Sequence, residues 1–256
     1  MRNQALRLVP LVALSLGATS VPGHGQSRTR IAEPVFTKRD ALAPGVVQQI
    51  EKRMARCIVQ RQPAVVERLL AHSDATQAEF AAAGIKDGRL HEQLSLTSCL
   101  LSAGDEEGAT ELRFSFGKLR NNLAEEVYLR TNTQPLEKAD ARTEIIPGRF
   151  ISPKGEKTIA RERGDFSDCI VYQASAEADA VLRTEVESAA EKAAVQRLVP
   201  ALSKCLSSGR TIELTVSAIR SYAAAGLWAR SYYHNPTRSA PIGKAPAETK
   251  AGTTDA

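Results

Sequence analysis

Four cysteines divide this chain into two matching stretches. Cys57 and Cys169 each begin the tripeptide Cys-Ile-Val, and each is followed downstream by one further cysteine, Cys99 or Cys205, that precedes a leucine. Four cysteines can form two disulfides in three ways. A disulfide holds two distant segments together in every conformation of the oxidised chain, so the pairing restricts the fold more than any local preference does.

The residues that follow the second cysteine of each stretch also repeat. The matching residues of the first stretch are Leu112, Phe114, Phe116, Leu119, Arg120, Ala124, Val127 and Tyr128. Their counterparts in the second stretch are Ile212, Leu214, Val216, Ile219, Arg220, Ala224, Leu227 and Trp228. We infer an internal duplication. It favours the local pairing of Cys57 with Cys99 and of Cys169 with Cys205, because an ancestral single unit had only its own two cysteines to join.

Each repeat is predicted to be mainly helical. Pro63 suits the first position of a helix, because a backbone N–H at that position would have no hydrogen-bond acceptor within the helix. Ser175 precedes acidic residues and is expected to act as an N-cap. A further helix should lead into each second cysteine, with Pro200 kinking or restarting the later one. The apolar residues of 46–61 recur at the spacing of one helix face: Val47, Ile50, Met54 and Ile58.

A short extended segment is expected near the end of each repeat. Apolar and polar residues alternate at 112–116 and at 212–216, which is the pattern of extended backbone. Ser115 and Thr215 occupy equivalent positions and are expected to cap the helices that close the repeats.

Tyr128 and Trp228 lie beside the apolar stripes of these closing helices, where they are expected to pack in the core rather than to form a ligand cage. The predicted fold class is therefore all-α, with one or two short extended segments. It consists of two duplicated helical units, each with an internal disulfide.

Composition changes along the chain predict its organisation. The region between the repeats is polar and rich in charges, with a candidate hairpin at 144–151 and a solvated loop at 154–165. The C-terminal stretch lacks the periodic apolar residues needed to order it. The predicted order is a signal peptide (1–25), a flexible segment (26–43), the first repeat (44–131), a linker (132–165), the second repeat (166–235) and a disordered tail (236–256).

The N-terminus has the layout of a secretory signal peptide. Arg2 and Arg7 precede an apolar run at 8–18, and small residues offer cleavage after Ser20 or after Gly25. That run has about half of the roughly 20 residues needed to span a bilayer. We therefore expect a periplasmic or secreted protein without a membrane span after cleavage, whose four cysteines are oxidised to disulfides.

The overall charge gives little indication of a partner. Removing Arg2 and Arg7 with the signal peptide lowers the formal net charge from +5 to +3. Aromatic residues make up only 5% of the chain, and the densest basic stretch alternates with acids. A nucleic-acid interface usually needs a clustered basic face, often with stacking aromatics, so nucleic acid is not an expected partner.

No catalytic, cofactor-binding or metal-binding residue is predicted. His72 and His91 lie between Cys57 and Cys99, but their spacing is long and irregular for a zinc site. The second repeat has no histidine between its cysteines. The chain also has no C-x-x-C pair, no G-x-S-x-G sequence and no phosphate-binding loop of the Walker type.

Arg120 and Arg220 form the most informative polar pair, because they are identical and occur at matching positions. Each could bind an anion, or could tie its helix to a carboxylate or carbonyl of its own repeat. Glu125 and Glu126 have no acidic counterparts in the second repeat, and we interpret them as part of an exposed helix face.

The order Cys-Ile-Val, Cys-Leu, glycine loop, Leu-Arg-Phe and then LRNNLAEEVY (119–128) resembles a group of exported repeat proteins of Gram-negative bacteria. The resemblance spans both repeats and is clearer in the first. It implies export and duplication, and no catalytic residues are carried over from it.

The expected function is therefore a non-enzymatic exported module that binds another envelope protein or envelope component. One alternative is a carrier that holds a small apolar ligand between helices, in a pocket lined by Phe114, Phe116, Tyr128 or Trp228. The other alternative is an enzyme without a recognisable motif.

Overall fold

The computed structural model describes residues 43–104, 115–138, 154–206 and 214–233, with the backbone alone for 154–157. The predictions for the signal peptide, for nearly all of 26–43, for the hairpin at 144–151 and for the tail lie outside these residues.

The described residues form helices joined by turns and loops, without a named strand among them. The helices of the first repeat are α1 (Pro44–Arg61), α2 (Pro63–Ala71), α3 (Leu90–Gln93), α4 (Leu96–Ala103) and α5 (Phe116–Thr131). Those of the second are α6 (Lys154–Gln173), α7 (Ser175–Leu182), α8 (Ala189–Cys205) and α9 (Val216–Tyr233). The predicted helical class is confirmed.

Both predicted disulfides are confirmed. Cys57 of α1 is bonded to Cys99 of α4, and their Cα atoms are 5.5 Å apart. Cys169 of α6 is bonded to Cys205 at the end of α8, with Cα atoms 5.7 Å apart. Each bond therefore joins the first helix of a repeat to the helix that carries the second cysteine.

The two repeats place corresponding helices in the same order. The helices α1, α2, α4 and α5 correspond to α6, α7, α8 and α9 by the residues they contain. In the first repeat a break precedes the helix that carries the second cysteine, since Ser95 adopts a left-handed backbone with φ of 55° between α3 and α4. The second repeat spans its corresponding stretch with the single helix α8.

The helix starts confirm several sequence predictions. Pro63 is the first residue of α2. Ser115 Oγ accepts a hydrogen bond from the Lys118 N–H at 3.3 Å, and Thr215 Oγ1 accepts one from the Ala218 N–H at 3.2 Å. The Thr215 hydroxyl satisfies a backbone donor at the start of α9, and the Ser115 hydroxyl shares the Lys118 N–H with the Ser115 carbonyl, which accepts it at 3.1 Å.

Ser175 was expected to cap α7, and this is wrong, because Ala174 holds that position. The Ser175 hydroxyl instead donates to the Leu136 carbonyl at 3.0 Å, so it ties α7 to the segment after α5. Pro200 lies inside α8, which runs on through it to Cys205 rather than restarting there.

The predicted extended segments are shorter than the alternation suggested. Phe116 and Val216 belong to helices, and only Ser115, Leu214 and Thr215 are described as non-helical. The N-caps explain the difference. A helix begins at the residue that follows its N-cap, so Ser115 and Thr215 place the helix starts at Phe116 and Val216. Residues 112–114 and 212–213 lie outside the described part.

The linker prediction is wrong for 154–165, which forms the first part of α6. Ala160 and Gly164 are buried on one side of this helix, whereas Arg161 and Arg163 are exposed. The two buried residues are small, so the segment lacks the periodic large apolar residues by which a helix is recognised in a sequence. Its many charged residues were therefore interpreted as a solvated loop.

The core is centred on α5 and α9, which pack extensively against each other. Tyr128 is fully buried and Trp228 is 2% exposed, which confirms that these aromatic residues pack in the core. Gly226 allows α9 to approach α6 closely, since a methyl group at this position would lie 2.4 Å from the Ser167 carbonyl oxygen. The glycine is therefore required by packing between the helices.

Replacing Gly226 by alanine should destabilise the protein although alanine is the better helix former. The added methyl group would overlap the backbone of α6, and we expect a loss of about 1–3 kcal/mol in the free energy of unfolding. The control is Gly45→Ala, whose methyl group would lie 3.0 Å from Glu187 Cγ and would meet side-chain atoms rather than backbone. Chemical denaturation of both variants provides the measurement, and equal effects would contradict this packing account.

Removing the second disulfide with the double substitution Cys169→Ala/Cys205→Ala should cost about 4 kcal/mol by the loop-entropy relation. The first disulfide, removed in the same way, should cost a similar amount, because the two loops span 42 and 36 positions. Denaturation of both variants without reductant checks this. A loss below about 1 kcal/mol in either would show that packing alone holds that pair of helices together.

Candidate functional site

Each of the two matching arginines, Arg120 and Arg220, lines a cleft in the described part of the molecule. The Arg220 cleft has a volume of about 640 Å³ and is lined by residues of α1, α5, α9 and the turn after α7. The Arg120 cleft, of about 380 Å³, is lined by residues of α5, α6, α9 and the turn after α2. Corresponding elements of opposite repeats therefore build the two clefts.

Arg220 lies at the base of its cleft within a dense set of acceptors. Its Nε donates to both carboxylate oxygens of Glu125, at 3.0 and 3.1 Å, and its Nη2 to one of them at 2.6 Å. Its Nη1 donates to Glu191 Oε1 at 2.8 Å. The guanidinium group also donates to three backbone carbonyls at 2.8–3.1 Å, those of Val181, Leu182 and Thr184.

Two acidic residues of α5 connect Arg220 to α1. Lys52 forms ion pairs with Glu125 and with Glu126, the latter at 3.0 Å. Arg56 reaches the other oxygen of Glu126 at 3.4 Å. Opposite charges at these distances compensate for the loss of water around buried carboxylates.

Glu125 and Glu126 were expected on an exposed helix face, and this is wrong. They are 1% and 3% exposed, respectively. Their burial depends on cations from α1 and α9, which are distant in sequence and which periodicity within α5 cannot reveal. The matching positions of the second repeat hold Ala225 and Gly226, and this difference did not indicate burial of the two acids.

Glu191 contributes to the Arg220 network and to the start of α8. The Ser188 hydroxyl accepts from the Glu191 N–H at 3.0 Å, which caps the helix. Glu191 Oε2 in turn accepts from the Glu187 N–H at 2.7 Å. Glu187 has a φ of 62°, so this backbone bond holds a left-handed residue at the turn. The sequence analysis did not identify Glu191.

The electrostatics of the two arginines differ. Burial lowers the pKa of Arg220, but Glu125 and Glu191 more than offset this effect, so its pKa is raised overall. For Arg120 burial prevails and its pKa is lowered, with only a partial offset from Tyr233 and Asp74.

Arg120 is 5% exposed and is held by neutral groups. Its Nε donates to Ser73 Oγ at 3.0 Å and its Nη1 to Asn121 Oδ1 at 3.2 Å. The guanidinium group also lies over the ring of Trp228, 5.4 Å from the ring centre. Among the described residues, Arg120 forms no ion pair and its Nη2 donates no hydrogen bond.

The structure thus places the two matching arginines in different roles. Arg220 makes the carboxylate and carbonyl contacts that were one of its two sequence interpretations. One of its carboxylates, Glu125, comes from the other repeat rather than from its own. Arg120 faces a cleft that could admit an anion, which was the other interpretation.

A further buried contact joins the two repeats. The Tyr128 hydroxyl donates to Asp179 Oδ1 at 2.7 Å, and Arg183 holds both oxygens of the same carboxylate at 2.6 and 2.9 Å. Burial, followed by the bond to Asp179, raises the pKa of Tyr128. The tyrosine is therefore neutral at physiological pH and serves as a hydrogen-bond donor.

Cys57 and Cys99 form a disulfide, so their sulfur atoms are not free to bind a metal ion together with His72 and His91. Within the described ranges, no group of three or more His, Cys, Asp or Glu side chains is arranged to hold a metal ion.

None of the helices in the described part is both long enough and apolar enough to cross a membrane. Comparison with family models, with curated proteins and with solved structures finds no match for this chain.

Replacing Glu125 by glutamine should destabilise the fold by about 3–5 kcal/mol, because it leaves Arg220 buried with an incomplete set of negative partners. The matched control is Glu92→Gln, which breaks an exposed ion pair with Arg89 and should cost less than about 1 kcal/mol. Urea denaturation of both variants gives the comparison. Equal losses would show that the buried network does not stabilise the fold.

Proposed function

We propose that the mature chain is a non-enzymatic exported protein that binds an acidic segment of another envelope protein in the Arg220 cleft. The observation that carries this proposal is the charge of the lining. Five cationic and two acidic side chains line the cleft, and Glu126, Asp179 and Glu191 pair with some of these cations from outside the lining. The cations are Lys52, Arg53, Arg56, Arg183 and Arg220, and the acids are Glu125 and Glu185.

The cations lie at two levels of the cleft, at its base and at its rim, and this arrangement suits an acidic peptide segment. Lys52 and Arg220 are held at the base by Glu125. Arg53, Arg56 and Arg183 are exposed at the rim. Guanidinium groups can hold carboxylates with two parallel hydrogen bonds, so an exposed arginine rim over a rigid base favours an acidic peptide.

Two observations favour this proposal over the alternatives. The apolar-carrier hypothesis needs a pocket lined by Phe114, Phe116, Tyr128 or Trp228. Phe114 lies outside the described residues, and neither cleft is lined by the other three. The carboxylates at the base of the Arg220 cleft are already engaged in ion pairs, whereas a general acid or base needs a proton that it can exchange with a substrate.

Export is part of the proposal. The two disulfides are typical of an oxidising compartment such as the periplasm. The basic and apolar N-terminus supplies the corresponding signal. The shared order of helices in the two repeats supports the proposed duplication.

N-terminal sequencing of protein recovered from the periplasm of an exporting host tests the route. The mature chain should begin at Val21 or at Gln26, the residues that follow the two candidate cleavage sites. An intact N-terminus in the cytoplasmic fraction alone would contradict export.

Binding is tested with a fluorescein-labelled hexaglutamate peptide, followed by fluorescence anisotropy. The wild-type protein should bind it, and Arg56→Gln should weaken binding by about threefold to tenfold, because a rim cation is lost. Raising the salt concentration from 50 to about 500 mM should weaken binding further, since exposed charges are screened.

Arg89→Gln is the matched control. The Arg89 side chain is 58% exposed and that of Arg56 is 60% exposed, and each pairs with one glutamate, but Arg89 does not line the cleft. Binding that weakens equally in both variants would reflect net charge alone and would overturn the proposed site.

A further inference from the structure

The Arg120 cleft differs from the Arg220 cleft at the positions that supply the charged partners of arginine. Ala225 lines the Arg120 cleft at the position that matches Glu125. Gly164 lines it at the position that matches Lys52, by the alignment that places the two Cys-Ile-Val sequences on each other. The second repeat thus has small residues where the first has an ion pair.

The Arg220 cleft shows how a carboxylate satisfies this arginine. Glu125 approaches from the opposite closing helix and accepts hydrogen bonds from both Nε and Nη2. In the Arg120 cleft the opposite closing helix has the methyl group of Ala225 at the position of that carboxylate, and Arg120 Nη2 donates no bond to a described residue. A carboxylate is therefore missing from a position where the corresponding site has one.

The rest of the Arg120 cleft also suits an anion. Its lining includes Lys118 and Arg163 besides Arg120, against the single acid Asp74. Lys118 is additionally paired with the buried Glu51 at 2.8 Å, so its ammonium group is fixed in place. Asp74 Oδ1 accepts from the backbone N–H groups of Thr76 and Gln77, which occupies that oxygen within its own turn.

Hydroxyl groups and helix starts add further donors. The first residues of α5 and α9, helices of 16 and 18 residues, both contribute to the lining. Their N-terminal ends carry partial positive charge. The Ser217 and Ser221 hydroxyls also lie in the lining, whereas the Ser167 hydroxyl already donates to the Arg163 carbonyl at 2.9 Å.

We propose that the Arg120 cleft binds a small organic carboxylate, whose carboxylate group takes the place at Arg120 that the Glu125 side chain takes at Arg220. The volume of about 380 Å³ accommodates a ligand of several non-hydrogen atoms but not a folded peptide. This site is separate from the proposed peptide site, and its test does not depend on that proposal.

Succinate is the probe, measured by isothermal titration calorimetry on the full oxidised protein at constant ionic strength. The wild-type protein should bind it, and Arg120→Gln should weaken binding about tenfold or more, because a charge-assisted bond is lost. Absence of succinate binding to the wild type would overturn the proposal.

Ala225→Glu is the decisive variant, because it introduces the internal carboxylate that the first repeat already has. Succinate binding should be abolished, and the thermal midpoint without succinate should equal or exceed that of the wild type. Succinate binding that is unchanged in a folded Ala225→Glu protein would overturn the proposed position of the carboxylate.

A second pair of variants keeps the test valid if Ala225→Glu does not fold. Arg161 and Arg163 are both exposed on α6, but only Arg163 lines the cleft. Arg163→Gln should weaken succinate binding about threefold, and Arg161→Gln should leave it unchanged. Equal effects would place the succinate elsewhere.

Inorganic phosphate, titrated under the same conditions, separates a carboxylate site from a general anion site. The proposal expects succinate to bind more tightly than phosphate, because the planar carboxylate reproduces the contact seen with Glu125. Tighter binding of phosphate would overturn the assignment of ligand class.

Discussion

The buried contact between Arg220 and Glu125 is the interaction on which the arrangement of the two repeats depends. Arg220 belongs to the last helix of the second repeat and Glu125 to the last helix of the first. Through the carbonyls at the end of α7, through Glu191 of α8 and through Lys52 of α1, the same network reaches three further elements. Nearly all N–H groups of a buried guanidinium group need a hydrogen-bond acceptor. The hydrogen bonds from Arg220 therefore fix the positions of the helices that supply these acceptors.

The disulfides and this network act at different levels. Each disulfide closes a loop within one repeat, and so reduces the number of conformations open to the unfolded chain. The ion pairs and the Tyr128–Asp179 bond join the repeats to each other across the α5–α9 contact. Small helical units with limited cores can be held in this way, with covalent links inside each unit and polar and apolar contacts between them.

The same arginine therefore has two physical environments in one molecule. At Arg220 a carboxylate from the opposite helix completes the site and makes it part of the scaffold. At Arg120 the equivalent position is an alanine, and the guanidinium group rests on Trp228 and on neutral acceptors beside a cleft. This is the physical basis for assigning different roles to residues that the sequence shows as equivalent.

The sequence by itself determined the helical class, the disulfide pairing, the caps at Ser115 and Thr215 and the burial of Tyr128 and Trp228. These features depend on local patterns or on a repeat that is visible in the chain. Only the tertiary structure decided that 154–165 is helical, that Glu125 and Glu126 are buried and that Arg120 and Arg220 differ. The reason is that the burial of a charge depends on partners from other helices, and spacing along one helix carries no information about them.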